Sequence, residues 1–434
     1  MNALNSEPTP GSGSSAVNKE ASTTPEAATQ SVAQKRTKLT GSSRTAILGA
    51  MFLMATSSIG PGFITQTSVF TVQLGVAFAF AILVSVLVDI AIQLNVWRVL
   101  GVTGLRANEL GNRVLPGIGW VMAAFVFVGG LIFNIGNIGG AGLGINAMLG
   151  VDAKIGGAVS ALIAVVVFVF KRAGAALDRI VVALGAIMIL LMLYVAIVSE
   201  PPIGAALKNT VLPEQVDFLV ITTLIGGTVG GYITFAGAHR LIDSKITGAE
   251  NVGHITGVSV MSVIVTGIMR VLLFLAILGV VAGGVALSND NTAADAFRAA
   301  AGEIGLRFFS VVLWAAGLTS VIGASYTSIS FVTTQKTSAR VRSLLTVGFI
   351  VVCAIAYLAL NKAPQTLLIF AGAFNGLILP IGFAVVLWVT WARRDLLKGY
   401  AYPKWLAVVG TLTWLLTIWL GWNSLTGIAA LWQG

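Results

Sequence analysis

Charged side chains are scarce in this sequence. Only 10% of its 434 residues are Asp, Glu, Lys or Arg, whereas 56% are hydrophobic. A soluble domain carries about 25% charged residues, which solvate its surface in water. A chain of this length with so few charges cannot cover a water-facing surface, so most of that surface must face lipid. The composition excludes an ordinary soluble protein and predicts an all-α membrane protein.

Cysteine and histidine are scarce as well. The chain has one cysteine, Cys353, and two histidines, His239 and His254. A single cysteine excludes a disulfide framework and a cysteine-based metal cluster. We find no nucleophile–base pair, nucleotide-binding loop or metal-ligand cluster, so we expect no enzyme activity, cofactor or bound metal. The net charge of +10 has no accompanying face of base-stacking aromatics, so we expect no nucleic-acid partner.

The chain divides into two regions of different composition. Residues 1–40 are rich in Ser, Thr, Ala and Pro without an apolar period, which predicts a disordered cytoplasmic tail. Residues 41–434 contain successive apolar stretches, each long enough to span about 30 Å of hydrocarbon. Eleven transmembrane helices are predicted, near 46–73, 76–98, 117–148, 155–171, 180–198, 218–239, 254–285, 306–333, 343–361, 365–392 and 405–432.

Basic residues are distributed unequally between the segments that connect these spans. With the N-terminus in the cytoplasm, 20 of the 26 Lys and Arg residues fall in cytoplasmic segments and five in extracytoplasmic ones. Cytoplasmic loops of membrane proteins carry such an excess of positive charge. The asymmetry predicts a multi-pass protein of a bacterial inner membrane, with its N-terminus cytoplasmic and its C-terminus extracytoplasmic.

Two of the spans are interrupted by glycine or proline. The first contains GPG at residues 60–62, where Pro61 lacks an N–H and clashes with the preceding turn. The sixth contains GGTVGGY at residues 226–232. Backbone groups freed in mid-membrane cannot face lipid and must line an enclosed cavity. Interrupted helices at matching positions of two repeats indicate a secondary transporter with a midplane site; packing glycines are the alternative interpretation.

Four segments resemble the NRAMP family of proton-coupled divalent-metal transporters. GPGFITQTSVFTVQLG and LIGGTVGGYITFAGAHRLID are similar to the first and sixth helices of that family. FNIGNIGGAGLGINAML is similar to its third helix, and LWAAGLTSVIGAS to its eighth. The resemblance covers most of the chain after the tail. It implies a LeuT-type fold, with two inverted five-helix repeats plus an eleventh helix, and with first and sixth helices unwound at mid-membrane.

The resemblance does not extend to the metal ligands. The family's metal and proton ligands in the first, sixth and third helices are replaced here by Gly60 and Phe63, Gly230 and Tyr232, and Asn134 and Asn137. Transition metals need thioether, imidazole or carboxylate donors, and Mg²⁺ usually binds one or two carboxylates. The comparison therefore implies a scaffold that is retained and a metal site that is lost.

A small organic acid or amino-acid-like solute suits the altered site better. The glycine replacements enlarge the expected cavity, and half-helix N-termini favour a carboxylate. Some bacterial proteins of this divergent branch are encoded beside 5-oxoproline-degrading enzymes, so the resemblance suggests uptake of 5-oxoproline by alternating access, coupled to H⁺ or Na⁺. The predicted substrate-binding residues are Gly60, Gly62, Phe63, Thr65, Gln66, Thr67, Asn134, Asn137, Thr228, Gly230, Gly231, Tyr232 and Thr234.

Two alternatives to an organic-acid transporter are an Mn²⁺ or Mg²⁺ transporter with an atypical site and a non-transporting membrane sensor or scaffold. The expected partners in every case are the lipid bilayer and a small-molecule solute. A monomer and a homodimer are equally compatible with the sequence.

Four further polar residues are candidates for coupling or gating. Asp89 and Arg270 are charges inside predicted spans, where such residues are usually functional. Asp89 carries a proton, binds Na⁺ or makes a helix–helix contact; Arg270 neutralises a substrate carboxylate, pairs with Asp89 or caps a broken helix. Ser320 and neighbouring hydroxyls are candidates for a Na⁺ site. His239, near the cytoplasmic end of the sixth helix, is a candidate titrating group or an interfacial residue.

Overall fold

The computed structural model describes residues 58–334 and 337–433, with the backbone alone for residues 171–183. The predicted tail at 1–40 and the first part of the first predicted span lie outside the described residues. The described helices are α1 (Pro61–Leu74), α2 (Phe78–Thr103), α3 (Ala107–Val114), α4 (Ile118–Leu149), α5 (Ala153–Val169), α6 (Lys171–Val198), α7 (Ile203–Val211), α8 (Phe218–Thr228), α9 (Ile233–Asp243), α10 (Val252–Ala282), α11 (Thr292–Val332), α12 (Ala339–Ala359), α13 (Pro364–Trp391) and α14 (Lys404–Gln433).

Each of the eleven predicted spans overlaps a helix in the described part of the chain. Within residues 58–334 and 337–433, eight stretches are long and apolar enough to cross a membrane by length and composition alone, or nine if the bent pair of α6 and α7 counts as one span. The count is lower than eleven because α1 and α2 form one continuous stretch, and because α5 is a shorter apolar helix. The predicted multi-pass helical membrane protein is thus confirmed.

Two predicted boundaries differ from the structure. Residues 172–179 were expected to form a loop, but α6 already begins at Lys171, directly after α5. This segment, RAGAALDR, consists mostly of strong helix formers, which extend the helix beyond its apolar part. The eighth span was expected to begin near 306; α11 begins at Thr292 and changes direction at Gly302, where φ is +63° and ψ is −161°.

The side chains of the outer helices face lipid. On α14, Trp405, Leu412 and Trp422 are exposed over 62%, 62% and 76% of their surface, as lipid-facing positions require. The interior is a close-packed apolar core in which Trp97 of α2, Phe331 of α11 and Phe383 of α13 are fully buried. The indole N–H of Trp97 donates to the Thr234 carbonyl at 2.7 Å, so this large side chain buries no unpaired donor.

The two predicted helix breaks are present. Gly60 is extended (φ −105°, ψ −170°) and precedes α1, which begins at Pro61. The sixth span is divided into α8 and α9 by residues 229–232, within which Gly231 has a φ of +54°. A residue with a side chain rarely adopts that φ, so glycine permits the chain to leave the helical path there.

Helices α8 and α13 approach each other through glycines beside the second break. A Cβ added to Gly226 would overlap the Gly372 carbonyl oxygen and the Gly376 nitrogen on α13. The backbone of the interrupted helix therefore lies directly against a neighbouring backbone, which encloses its freed polar groups in protein. This contact is what positions the second break in the middle of the bundle.

We predict that Gly226→Ala destabilises the protein and that Gly257→Ala does not. The added methyl group at 226 must displace the α13 backbone, and overpacking of this kind costs about 1–3 kcal/mol. At Gly257 on α10 an added Cβ meets nothing within 4 Å, and alanine favours a helix by about 1 kcal/mol. Thermal unfolding in detergent measures both. Equal melting temperatures for the two variants would contradict the close contact of α8 and α13.

Candidate functional site

The two helix breaks lie next to each other. The Ser58 hydroxyl, just before the first break, donates to the Thr228 carbonyl at the end of α8 at 3.1 Å. We call residues 60–63 and 226–232 the break residues. Side chains of α4, α11 and α13 lie against them, and α1, α2 and α10 supply further polar groups.

Gln66 fills the space between α1, α8 and α13. Its amide nitrogen donates to the Leu368 carbonyl at 3.2 Å. A Cβ at Gly227 or at Gly372 would overlap this amide, so both glycines leave the room that it occupies. The amide oxygen is buried and has no hydrogen-bond partner. Gln66 therefore brings one unused acceptor to the second break.

Asn137 and Tyr232 face each other across the breaks. The Tyr232 hydroxyl is directed towards Asn137 without meeting the geometry of a hydrogen bond. Both polar atoms of the Asn137 amide also lack a partner. The Phe133 ring packs edge-on against the Tyr232 ring, with centroids 5.6 Å apart. Asn137 also approaches the first break, since its oxygen lies 3.7 Å from a Cβ built on Gly60, beside Ser320 of α11.

Asn375 of α13 is a site residue that the sequence analysis missed. Its amide nitrogen donates to the Gly129 and Ala371 carbonyls at 3.1 and 2.8 Å. Its oxygen has no partner and lies against Gly231, where an added Cβ would overlap it. The sequence feature that could have identified Asn375 is an amide side chain within the apolar run FAGAFNGLILP. Burying a polar side chain in a membrane helix costs free energy, so such a residue usually has a function.

Asp89 and Arg270 are two buried ionisable side chains, each in contact with one of the two breaks. Arg270 of α10 is buried, and its guanidinium lies 4.7 Å above the Phe63 ring, in the first turn of α1. Asp89 of α2 is buried as well and lies against the Thr228 hydroxyl. The two charges attract each other, but no ion pair within 4.0 Å joins them. The guanidinium Nε and Nη2 and one Asp89 oxygen have no hydrogen-bond partner among the described residues.

Unpartnered polar atoms are therefore concentrated at the breaks. Of fifteen buried side-chain atoms without a partner in the described part of the chain, eight belong to six residues that touch the break residues. More than about 90% of buried polar groups in proteins are hydrogen-bonded. We call these six residues, which are Gln66, Asp89, Asn137, Tyr232, Arg270 and Asn375, the break cluster.

Several predicted site residues lie elsewhere or use their polar groups within the fold. The Thr67 hydroxyl donates to the Phe63 carbonyl of its own helix at 2.7 Å. Thr234 donates to Gln93 of α2 at 2.7 Å, which holds α9 against α2. The Asn134 amide nitrogen donates to the Ser325 hydroxyl of α11 at 3.0 Å. Thr65 is buried in α1.

His239 belongs to a separate network at the end of α9. Its Nε2 accepts from the Ala107 N–H at 3.1 Å, and its Nδ1 lies 3.0 Å from the Ser330 hydroxyl. Nearby, buried Arg106 pairs with Asp243 at 2.6 Å and donates to two carbonyls at the end of α11. This network joins α3, α9 and α11 and stands apart from the break cluster.

A polar cavity lies at the C-terminal end of α1 and the N-terminal end of α8, away from the breaks. Its volume is about 450 Å³, and it is lined by the end of α1, the start of α8 and the end of α14. The Gln73 amide there donates to Asp217, the residue before α8, at 3.2 Å.

The polar groups at the breaks are three amides, one phenol, one carboxyl group and one guanidinium. Among the side chains described for residues 58–170, 184–334 and 337–433, no group of three or more His, Cys, Asp and Glu is placed to hold a metal ion. Asp89, a coupling candidate in the sequence, brings one carboxyl group to the edge of the site. Arg270 accompanies it and opposes its charge.

The comparisons with known proteins agree with this architecture. Residues 51–427 match the model of the Nramp family, natural resistance-associated macrophage protein-like. The uncharacterized membrane protein YcsG of Bacillus subtilis is 46% identical over 390 residues, which cover 89% of this chain and 96% of that protein.

Two solved structures share the fold. The manganese transporter of Eremococcus coleocola superposes with a TM-score of 0.68 at 17% identity, covering 90% of this chain and 88% of that chain. MhsT in complex with L-phenylalanine superposes with a TM-score of 0.63 at 15% identity, covering 86% and 98%. These similarities show the LeuT-type fold, and the match over residues 51–427 shows that the chain belongs to the Nramp family of transporters.

Proposed function

We propose that this Nramp-family transporter takes up a small organic acid or amino-acid-like solute, with 5-oxoproline as the first candidate, by alternating access coupled to H⁺ or Na⁺. The observation that carries the proposal is the concentration of unpartnered buried polar atoms at the two helix breaks. Leaving such atoms unsatisfied costs about 1–3 kcal/mol each. A solute that supplies their missing hydrogen bonds recovers this free energy when it binds.

The break cluster complements the chemistry of such a solute. Its amides, Gln66, Asn137 and Asn375, offer acceptors, and Asn137 also offers a donor. Arg270 offers two free N–H groups for a carboxylate. A lactam acid such as 5-oxoproline carries one carboxylate, one N–H and one carbonyl on a compact ring. The flanking Phe63 and Tyr232 rings provide apolar surface for that ring.

The same cluster disfavours a divalent cation. Mg²⁺ and Mn²⁺ are bound by oxygens that include carboxylates, and softer metals by thioether, imidazole or thiolate. Asp89 is the one carboxyl group of the break cluster, and the buried cation Arg270 attracts it. A divalent ion entering the site would meet that positive charge at short range in a medium that screens it poorly. The alternative substrate is Mn²⁺, because the E. coleocola protein of the same fold is a manganese transporter.

The proposed setting is a bacterial inner membrane with the N-terminus in the cytoplasm. The charge asymmetry of the sequence supports this orientation. It places the cavity at the ends of α1 and α8 on the extracytoplasmic side, where a solute to be taken up arrives.

We expect the purified protein in liposomes to accumulate labelled 5-oxoproline and to leave Mn²⁺ outside. Radiolabel uptake measures the acid, and a metal-sensitive dye inside the liposomes measures Mn²⁺. A pool of related small acids and amino acids, added as competitors, defines the solute class. Mn²⁺ flux without uptake of any organic solute would contradict the proposal. Binding of the acid without flux would indicate a sensor instead of a transporter.

We predict that Asn137→Leu weakens 5-oxoproline uptake without destabilising the protein. Leucine is similar in size to asparagine, and the change removes two polar atoms that have no partner within the fold. Each hydrogen bond to a solute contributes about 1 kcal/mol, so the loss of two should lower the apparent affinity about 30-fold. The melting temperature should stay equal or rise, because the buried unpaired groups are gone.

The matched control for this variant is Thr346→Val. Thr346 is buried on α12, outside the break cluster, and its hydroxyl donates to Arg342 of the same helix at 2.9 Å. Uptake by this variant should equal that of the unmodified protein. A purely structural Asn137 would give the reverse pattern, with a lower melting temperature and unchanged uptake.

A further inference from the structure

Asp89 and Arg270 connect the two breaks electrostatically. Arg270 contacts the first break through the Phe63 ring, and Asp89 contacts the second through Thr228. Both side chains are at least 98% buried, each retains unpartnered polar atoms, and each is the charged group that acts on the other. They attract each other without a direct ion pair, so a further anion can approach the guanidinium.

We propose that Arg270 is a shared counter-ion, which attracts Asp89 before substrate binds and the substrate carboxylate afterwards, so that Asp89 binds one proton with each substrate anion. This inference rests on the proposed function, because it requires an anionic solute. It selects H⁺ over Na⁺ as the coupling ion and assigns a stoichiometry of one to one.

The argument is one of charge balance in a buried place. In the proposed state before substrate binds, Asp89 is ionised beside protonated Arg270, so the two together carry no net charge. A bound carboxylate then adds one negative charge. An uncompensated charge in the membrane interior is strongly unfavourable. One proton added to an Asp89 carboxylate oxygen, taken from the aqueous side that the substrate enters from, restores neutrality and changes no other bond. When the substrate leaves, Arg270 attracts Asp89 again and the proton departs.

No other charged group of the described residues is placed to do this. Besides Arg270, the helices α7, α8, α9, α10, α13 and α14 that pack against α2 carry Lys208, His239, Arg240, Asp243, His254 and Lys404. The short segments near the C-terminal end of α2 carry Glu109, Arg113, Glu250, Arg394 and Asp395, and α2 itself carries Arg98. None of these is among the groups that act on the Asp89 carboxyl, whereas Arg270 is.

Proton uptake on binding tests the inference in the unmodified protein. Calorimetric titration with 5-oxoproline at pH 7.5, in buffers of different ionisation enthalpy, gives the number of protons bound with each substrate. We expect about one. Binding without proton uptake would overturn the inference and leave the proposed function intact. Failure to bind or transport any small organic acid would overturn the proposed function itself.

Asp89→Asn, which resembles the protonated acid, identifies the proton-binding group. This variant should bind 5-oxoproline with no proton uptake and should exchange labelled for unlabelled substrate. An inward proton gradient should no longer drive accumulation. Ser85→Ala is the matched control, because Ser85 lies one turn earlier on α2 and donates only to Ile82 of its own helix, at 2.9 Å. Gradient-driven accumulation by Asp89→Asn would overturn the inference.

Arg270→Gln tests the counter-ion. Removing one member of a buried charge pair should weaken binding of the acid roughly 100-fold. Binding of the uncharged amide of 5-oxoproline should change much less, and Arg270→Lys should retain part of the affinity for the acid. Thr266→Val, one turn earlier on α10, is the control, since its hydroxyl donates to Ser262 at 2.9 Å. Equal losses of affinity for the acid and for the amide would overturn the counter-ion role. If Arg270→Gln does not fold, the number of protons taken up by the unmodified protein on binding decides the inference.

Discussion

A backbone N–H or C=O group in the membrane interior must find its partner within the protein, because hydrocarbon supplies none. Continuous helices satisfy this requirement by themselves, and most of the described chain consists of them. At residues 60–63 and 226–232 the chain leaves the helical path, so the surrounding helices must enclose the freed groups. The glycines of α8 and α13 allow the necessary backbone contact, and the outer helices cover the result. The buried site exists because two breaks require protection from lipid.

Because the site is enclosed, electrostatic interactions have a large influence on which ligand it can bind. The polar groups of the break cluster are excluded from water, so each unpartnered atom and each unbalanced charge carries a large free energy. In the proposed function, the amide cluster and the buried guanidinium favour an anionic or zwitterionic organic solute over a metal ion. In the proposed coupling, the same low polarity links the charge of the substrate to that of the proton, because Arg270 cannot neutralise two carboxylates at once.

The family scaffold and the chemistry of the site are separable. The chain shares its fold with a manganese transporter and with MhsT in complex with L-phenylalanine. A shared fold does not determine the cargo, which depends on the side chains at the site. Two interrupted helices provide a place for a ligand at mid-membrane, and a few residues around them decide whether that ligand is a cation or an organic acid.

The sequence alone determined the membrane class, the helical spans and the positions of both breaks. These follow from local properties: apolar length, and glycine or proline within a span. It also singled out Asp89 and Arg270, because charges in apolar runs stand out. Which polar residues meet depended on tertiary structure. Asn134 and Asn137 lie three residues apart, yet helix packing directs the first to Ser325 and the second to Tyr232. Asn375 lies at the site because α13 crosses α4 and α8 there. Local sequence does not predict contacts between residues more than a hundred positions apart.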